Sequence, residues 1–328
     1  MNDRKPRYRD IRVGSNILRT AVWEGKGRHR PLLFFNGIGA NIELIAPLAE
    51  ALSDRDLIAF DAPGIGGSPS ASYPYRPWQF ARMAAGILDE LGYGEVDVMG
   101  VSWGGAMAQQ FAFQFGKRVH RLILAATSAG MLMIPGKPGA LMKLAHPRRY
   151  MDPDYLLKHF EMLYGDETEG ASGHSKRLRA PSMRGYLYQL LAGMGWTSAH
   201  FLPFMKPSIL AGENDQIVPT VNARFLQRLI PGARLEIVPG GHLFLVSRAN
   251  EVMPLIRAFL DEDAVRKPFT ASKIISERRF RGAAGDHCAG GSEPLKLLEQ
   301  ERAKTRLHRP TIRSILMMNI KSGRGIPP

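Results

Sequence analysis

A chain of 328 residues with 45% hydrophobic content can bury at least one large core, which excludes a disordered polar chain and a stapled mini-domain. Its single cysteine, Cys288, excludes a disulfide framework and a cysteine-rich metal site. The net charge of +14 raises the question of an anionic partner, but residues 264–328 hold 14 Lys and Arg against 5 Asp and Glu, so most of the excess belongs to a C-terminal stretch.

The first residues, Met1 to Asp10, carry charges with no apolar run behind them, which is not the pattern of a secretion signal. The longest weakly polar stretch, Leu122 to Pro135, falls short of the roughly 18 residues that a membrane span requires. The expectation is a soluble cytoplasmic protein.

In chain order, Arg9–Val13 and Asn16–Trp23 read as strands joined by a hairpin turn at Gly14-Ser15. The apolar run of Leu32, Leu33, Phe34 and Phe35 fits a central parallel strand, and the loop Asn36-Gly37-Ile38-Gly39-Ala40-Asn41 follows it. Helical spacing then covers Ile42–Leu52. A strand over Leu57–Asp61 runs into the glycine-rich Asp61–Ser68 loop, where Pro69 stands in place of the third glycine of a dinucleotide fingerprint, so a structural loop is the better reading. Pro77 opens a helix reaching Leu91.

Val96–Met99 leads into Gly100-Val101-Ser102-Trp103-Gly104-Gly105, followed by a helical pattern with Met107, Phe111 and Phe115. Strand, G-x-S-x-G and helix together form a nucleophile elbow, in which a serine on a strained turn is lifted clear of the sheet beside a helix N-terminus. Arg121–Ala126 supplies another strand. Alternating strands and helices specify an α/β fold with a mostly parallel sheet and helices on both faces.

The alternation stops at Ala129 and resumes at Ser208–Ala211. Residues 130–205 are therefore expected to be an inserted helical cap, with residues 1–129 and 206–262 as the core and 263–328 as a basic, flexible extension. The cap segment carries eight of the 15 methionines and several aromatics. These suit either an adaptable apolar ligand surface or ordinary packing against the core, and packing is expected for most. Beyond the cap, Thr220–Leu229 reads as a helix, Arg234–Val238 as a strand and Ser247–Leu260 as a closing helix. In the extension, Leu295–Leu307 has the spacing of one short helix.

Ser102, Asp215 and His242 fall in the chain order serine, acid, histidine, each after a predicted strand. A serine hydroxyl needs an imidazole to take its proton, and the imidazole needs a carboxylate to orient it. Glu213 is an alternative acid, but Asp215 better fits the loop. The oxyanion formed on attack needs two donors. The backbone N–H of Trp103, next after the nucleophile, and that of Ile38 are the candidates. No H-E-x-x-H zinc motif is present, and the chemistry requires no metal or organic cofactor.

Several stretches resemble the intracellular poly(3-hydroxyalkanoate) depolymerases of the medium-chain-length type, within the α/β-hydrolase superfamily. They are Phe35–Asn41, Gly100–Gly105 with Gln109-Gln110-Phe111-Ala112, Pro135–Pro138, Pro147–Tyr150, Gly195–Ser198 and Gly241–Leu245. The resemblance runs from about residue 10 to 262, cap included. It implies an α/β-hydrolase fold and hydrolysis of a storage polyester at a granule surface, with Ser102, Asp215 and His242 as the triad. Trp196 and Phe244, inside these stretches, are candidate substrate-binding residues. A small-ester carboxylesterase, a carbon–carbon bond hydrolase and an inactive granule-coating protein are the alternatives. A nucleic-acid partner is not expected.

Overall fold

In the computed structural model, residues 4–262 are described, except for residues 28, 147 and 165–170. Eight strands form one sheet: β1 (Arg7–Val13), β2 (Asn16–Trp23), β3 (Leu32–Phe35), β4 (Leu57–Phe60), β5 (Val96–Val101), β6 (Val119–Ala125), β7 (Ser208–Gly212) and β8 (Arg234–Val238). Their spatial order is β1-β2-β4-β3-β5-β6-β7-β8. The β1–β2 and β2–β4 pairs are antiparallel and every later pair is parallel. The expected hairpin at Gly14-Ser15 joins β1 to β2. Basic residues on β1 suit the exposed edge that it occupies.

Alternation along the strands feeds two apolar layers. On β3, Leu33 and Phe35 point to one face, where α2 (Pro77–Leu91) and α3 (Trp103–Gln114) bring Phe80, Ala84, Met107 and Phe111. Leu32 and Phe34 point to the other, against α1 (Ala46–Ala51) and the C-terminal α12 (Ala249–Leu260). Phe35 is almost wholly buried and its ring lies 5.7 Å from that of Phe111 and 6.0 Å from that of Phe60. Burial on that scale contributes roughly 1.5–3 kcal/mol per large side chain.

The Ile42–Leu52 segment begins as a single 3-10 turn over Ile42–Ile45 before α1, because the buried Asp61 carboxylate draws in the Ile42 N–H at 2.8 Å. The same carboxylate accepts from the Gly67 N–H at 2.9 Å and from Arg19 at 3.1 Å. The glycine-rich loop is thus folded around a side chain of its own strand. At the other end, the expected Ser247–Leu260 helix is broken at Arg248 into a short α11 (Phe244–Ser247) and α12.

Between β6 and β7 the described residues include six α-helices, α4 (Pro138–Ala145), α5 (Arg148–Met151), α6 (Pro153–Lys158), α7 (Phe160–Tyr164), α8 (Ala171–Arg177) and α9 (Met183–Gly193), followed by a 3-10 turn over Leu202–Phe204. A bridge between Gly130 and Thr197 brings the two ends of this insert together. Insert and sheet belong to one compact unit. The expected packing is found for aromatics such as Phe160, Tyr164 and Phe201, which are buried, but not for most of the methionines. Met205 is buried, whereas Met131, Met142, Met151, Met162, Met183 and Met194 face outward. Short helices broken at His146, Asp152 and His159 have too few inward positions to hide them.

The helix α10 (Thr220–Leu229) lies against β7 and β8. Among the described residues, no helix is long and apolar enough to cross a membrane. The expected basic extension at 263–328, with Cys288 and the short helix at Leu295–Leu307, lies outside the described residues.

Candidate active site

Ser102 sits at the turn between β5 and α3 with φ 55° and ψ −123°, a conformation that L side chains rarely adopt. It is held from several sides. Its N–H donates to the Ala125 carbonyl at 2.9 Å, extending the β5–β6 ladder, and its carbonyl accepts from the Thr127 hydroxyl at 2.8 Å and from the Gly105 N–H at 2.9 Å. The glycines of the elbow are demanded by close approach. A Cβ on Gly104 would lie 2.1 Å from the Phe35 carbonyl oxygen, and one on Gly100 would lie 2.3 Å from that of Gly104. Only side chains reduced to hydrogen let α3 start directly over β3 and β5.

Asp215 and His242 are brought together by an extension of strand pairing. The β7–β8 register ends at Gly212 opposite Val238, and the backbone contacts continue from Glu213 N–H to Val238 and from Asn214 N–H to Gly240, both at 2.9 Å. The two loops thus run side by side, and the residues that follow emerge adjacent. His242 Nδ1 is 2.8 Å from Asp215 Oδ2. The other carboxylate oxygen accepts the N–H groups of Ile217 and Val218, each at 2.8 Å. Both side chains are buried, while Glu213 is exposed. With an acceptor-only carboxylate facing Nδ1, that nitrogen carries the hydrogen and Nε2 keeps the lone pair.

Ser102 and His242 line one cavity of about 120 Å³, which the Ile38 loop also lines. The register Phe35 opposite Gly100 sets this loop beside the elbow, so that a Cβ on Gly37 would come 3.8 Å from that of Ser102. Trp103, as the first residue of α3, has an N–H without an intrahelical acceptor. Trp196 and Phe244 do not line the cavity. Trp196 is half-buried at the base of the insert, donating to Gln110 at 2.9 Å and packing on Phe201. Phe244 points away into the layer beneath the sheet, while its neighbours Leu243 and Leu245 face the cavity.

Much of the cavity wall comes from residues to which the sequence assigned no role, among them Tyr150 of the Pro147–Tyr150 stretch. Tyr150, Tyr164, Leu144 and Leu178 of the insert close it, with Leu44, Leu48 and Val246 on the core side. The Tyr164 ring stacks parallel to His242 with centroids 6.4 Å apart, and its carbonyl accepts the His242 N–H. Tyr150 donates to the Ile38 carbonyl at 3.3 Å. Gln189 of α9 accepts the Gly39 N–H at 2.8 Å, and Asn41 is tied to the backbone of Arg177 and Arg179 at 2.9 Å each. The Tyr150, Gln189 and Asn41 contacts all grip the loop that contains Ile38, while Tyr164 braces His242.

Besides His242, two lining residues are polar and buried. Arg149 is 5% exposed and His174 is 8% exposed. Burial, reinforced by the charges of Arg149 and Arg177, pushes the His174 imidazole down to about 4. Among the described residues, the three-residue group His29, Asp54 and Asp261 has metal-ligand spacing, but Arg55 and Arg257 already occupy its carboxylates.

Comparison with known proteins agrees with this architecture. The family model for the alpha/beta hydrolase fold matches residues 30–249. A poly(3-hydroxyalkanoate) depolymerase from Ectopseudomonas oleovorans is 46% identical over 275 residues, covering 81% of this chain and 97% of that protein. The chain belongs to the poly(3-hydroxyalkanoate) depolymerase family of α/β hydrolases. This depolymerase-family chain is an ester hydrolase by fold and by relationship. Solved structures of more distant hydrolases share the fold alone. An enol-lactonase from Burkholderia xenovorans superposes with a TM-score of 0.63 at 20% identity, covering 77% of this chain and 99% of that one. A meta-cleavage product hydrolase from Pseudomonas fluorescens gives 0.65 at 19% identity, covering 77% and 97%.

Proposed function

We propose that the protein cleaves the ester bonds of a medium-chain-length poly(3-hydroxyalkanoate), with Ser102 as nucleophile, His242 as base and Asp215 as the group that orients it. The observation that carries this reading is the Asp215–His242 pair at 2.8 Å, opening onto the same cavity as the strained Ser102. His242 Nε2 takes the Ser102 proton as Oγ attacks the acyl carbon. The N–H groups of Ile38 and Trp103 receive the oxyanion, the proton passes to the departing 3-hydroxyl, and water releases the acyl group by the reverse path. The helical insert acts as the cap that keeps bulk water off these steps, and its leucines accept an alkyl side chain.

The partner in this reading is the surface of a polyester granule, and the site of action is the cytoplasm. Met183, Leu187, Leu190 and Met194 are exposed and recur at helical spacing along α9 and its cap, which makes a single apolar stripe. Such a stripe on the outer wall of the cap supports contact with an apolar polymer surface.

The test compares clearing of a medium-chain polyester emulsion with turnover of a soluble p-nitrophenyl ester. Wild type should act on both and Ser102→Ala on neither. A variant with Met183, Leu187 and Leu190 replaced by Gln should lose emulsion clearing while keeping the soluble activity. Wild-type turnover of the soluble ester without clearing would point to a small-ester esterase instead.

A further inference from the structure

Arg149 is the one permanently charged group among the described residues that line the cavity. Its residue is 5% exposed, its Nε is buried without a hydrogen-bond partner, and no carboxylate among the described residues pairs with its guanidinium. The guanidinium lies over the Tyr150 ring, 4.1 Å from the centroid. A ring face returns only part of what desolvating a cation costs, so an unpaired guanidinium in an apolar wall is an incomplete site. The neighbouring His174 is held neutral near pH 7 by burial and by Arg149 itself, and an imidazole in either charge state offers no counter-charge.

The position is also informative. The hydroxyl of the same Tyr150 ring donates to the Ile38 carbonyl, so one aromatic ring touches both the cation and the loop proposed to hold the oxyanion. In a poly(3-hydroxy acid) the group that such a fork would recognise occurs once per chain. That group is the terminal carboxylate, which lies on the alcohol side of the last ester bond and close to its oxygen.

We propose that Arg149 binds the free carboxylate of the substrate, so that the enzyme removes 3-hydroxy acid units from the carboxyl end of the polyester. This rests on the polyester reading above. In the balanced reaction, Ser102 forms a bond to the penultimate acyl carbon and the terminal unit leaves as a free 3-hydroxy acid carrying the transferred proton. One water then releases a chain shorter by one unit, whose new carboxylate can occupy the same fork.

The experiment uses the full chain and two soluble dimers of 3-hydroxyoctanoate, one ending in the free acid and one in the carboxamide. A charge-assisted, two-pronged contact should make wild-type kcat/KM for the acid exceed that for the amide by about tenfold or more, expressed mainly in KM. Arg149→Gln should bring the ratio close to one and Arg149→Lys should restore part of it. Independently of any variant, 3-hydroxyoctanoate should inhibit wild-type turnover of a p-nitrophenyl ester more strongly than 3-hydroxyoctanamide. Equal turnover of the two dimers by wild type, or an equal loss on both in Arg149→Gln, would overturn the carboxylate site and leave polyester hydrolysis standing. Turnover of neither dimer would overturn the carboxyl-end reading, and emulsion clearing would still decide polyester hydrolysis.

Discussion

At the scale of single residues, the arrangement around His242 makes a sharp prediction about Asp215. Its two oxygens have separate tasks, one holding the imidazole and the other taking two backbone N–H groups that lock the loop. Asp215→Asn keeps the size and, with its amide oxygen toward the loop, both loop contacts, but it then presents an N–H to Nδ1 and so favours the wrong tautomer. We expect kcat to fall about 10⁴-fold with melting temperature little changed, a split that parallel kinetics and calorimetry would reveal. His174 gives a second prediction, of stability rather than rate. An imidazole near 6.5 when unfolded but pushed down to about 4 by burial binds its proton only on unfolding, so acidification across that window destabilises the fold. Asp97, raised to about 6 by burial, slopes the opposite way, because the unfolded chain gives up that proton first as pH rises. The informative quantity is therefore a difference. His174→Gln should gain stability relative to wild type as pH drops from about 6.5 to about 4, measured by urea unfolding at each pH. A constant difference across the range would mean that His174 is not the buried neutral group described here.

Elements explain how far these residues were legible beforehand. Ser102, Asp215 and His242 announce themselves because each follows a strand, and strand ends carry signals that survive in one dimension: glycines, alternation and loop chemistry. The helix over Pro77–Leu91 and the strand over Arg234–Val238 were readable for the same reason, a proline at the first turn and a short alternating run. The insert had no such signal. Its helices are short, their apolar positions lack a sustained period, and contacts such as Gln189 to Gly39 join residues distant in sequence. Trp196 and Phe244 lie within matched stretches, yet one packs at the base of the insert and the other beneath the sheet, since shared sequence does not say which way a side chain points. The Gln189 contact has a consequence for catalysis. Gly39 has φ 68°, and a Cβ there would meet the Tyr150 hydroxyl at 2.1 Å, so this loop is shaped from outside by the insert. Gln189→Leu would leave the Gly39 N–H buried and unpaired, costing about 1–3 kcal/mol, and would free the neighbouring Ile38 N–H, the proposed oxyanion donor. We expect kcat to drop by about 10- to 100-fold, within the range for a weakened oxyanion donor, with a smaller change in KM. Equal changes in kcat and KM would assign Gln189 to substrate binding instead.

For the whole molecule the question is where the catalytic unit ends. The core layer beneath Leu32 and Phe34 is closed by α12, which finishes at Leu260, and every described residue lining the cavity lies between Phe34 and Val246. The Ectopseudomonas depolymerase is matched over 97% of its own length by 81% of this chain, so about a fifth of this chain lies outside that match. The residues beyond 263 differ from the rest chiefly in charge, contributing +9 of the net +14. Charge of that sign changes encounter with anionic surfaces, an effect that salt screens, and does nothing for proton transfer inside a cavity. Removing residues 263–328 should therefore leave kcat/KM for a soluble ester within about threefold of the full chain while lowering the affinity for anionic polymer particles at low ionic strength. The affinity difference should fade as salt rises through the physiological range, where the screening length is about 8 Å. Loss of soluble turnover on truncation would show that the basic segment completes the fold, and the boundary at 262 would have to move.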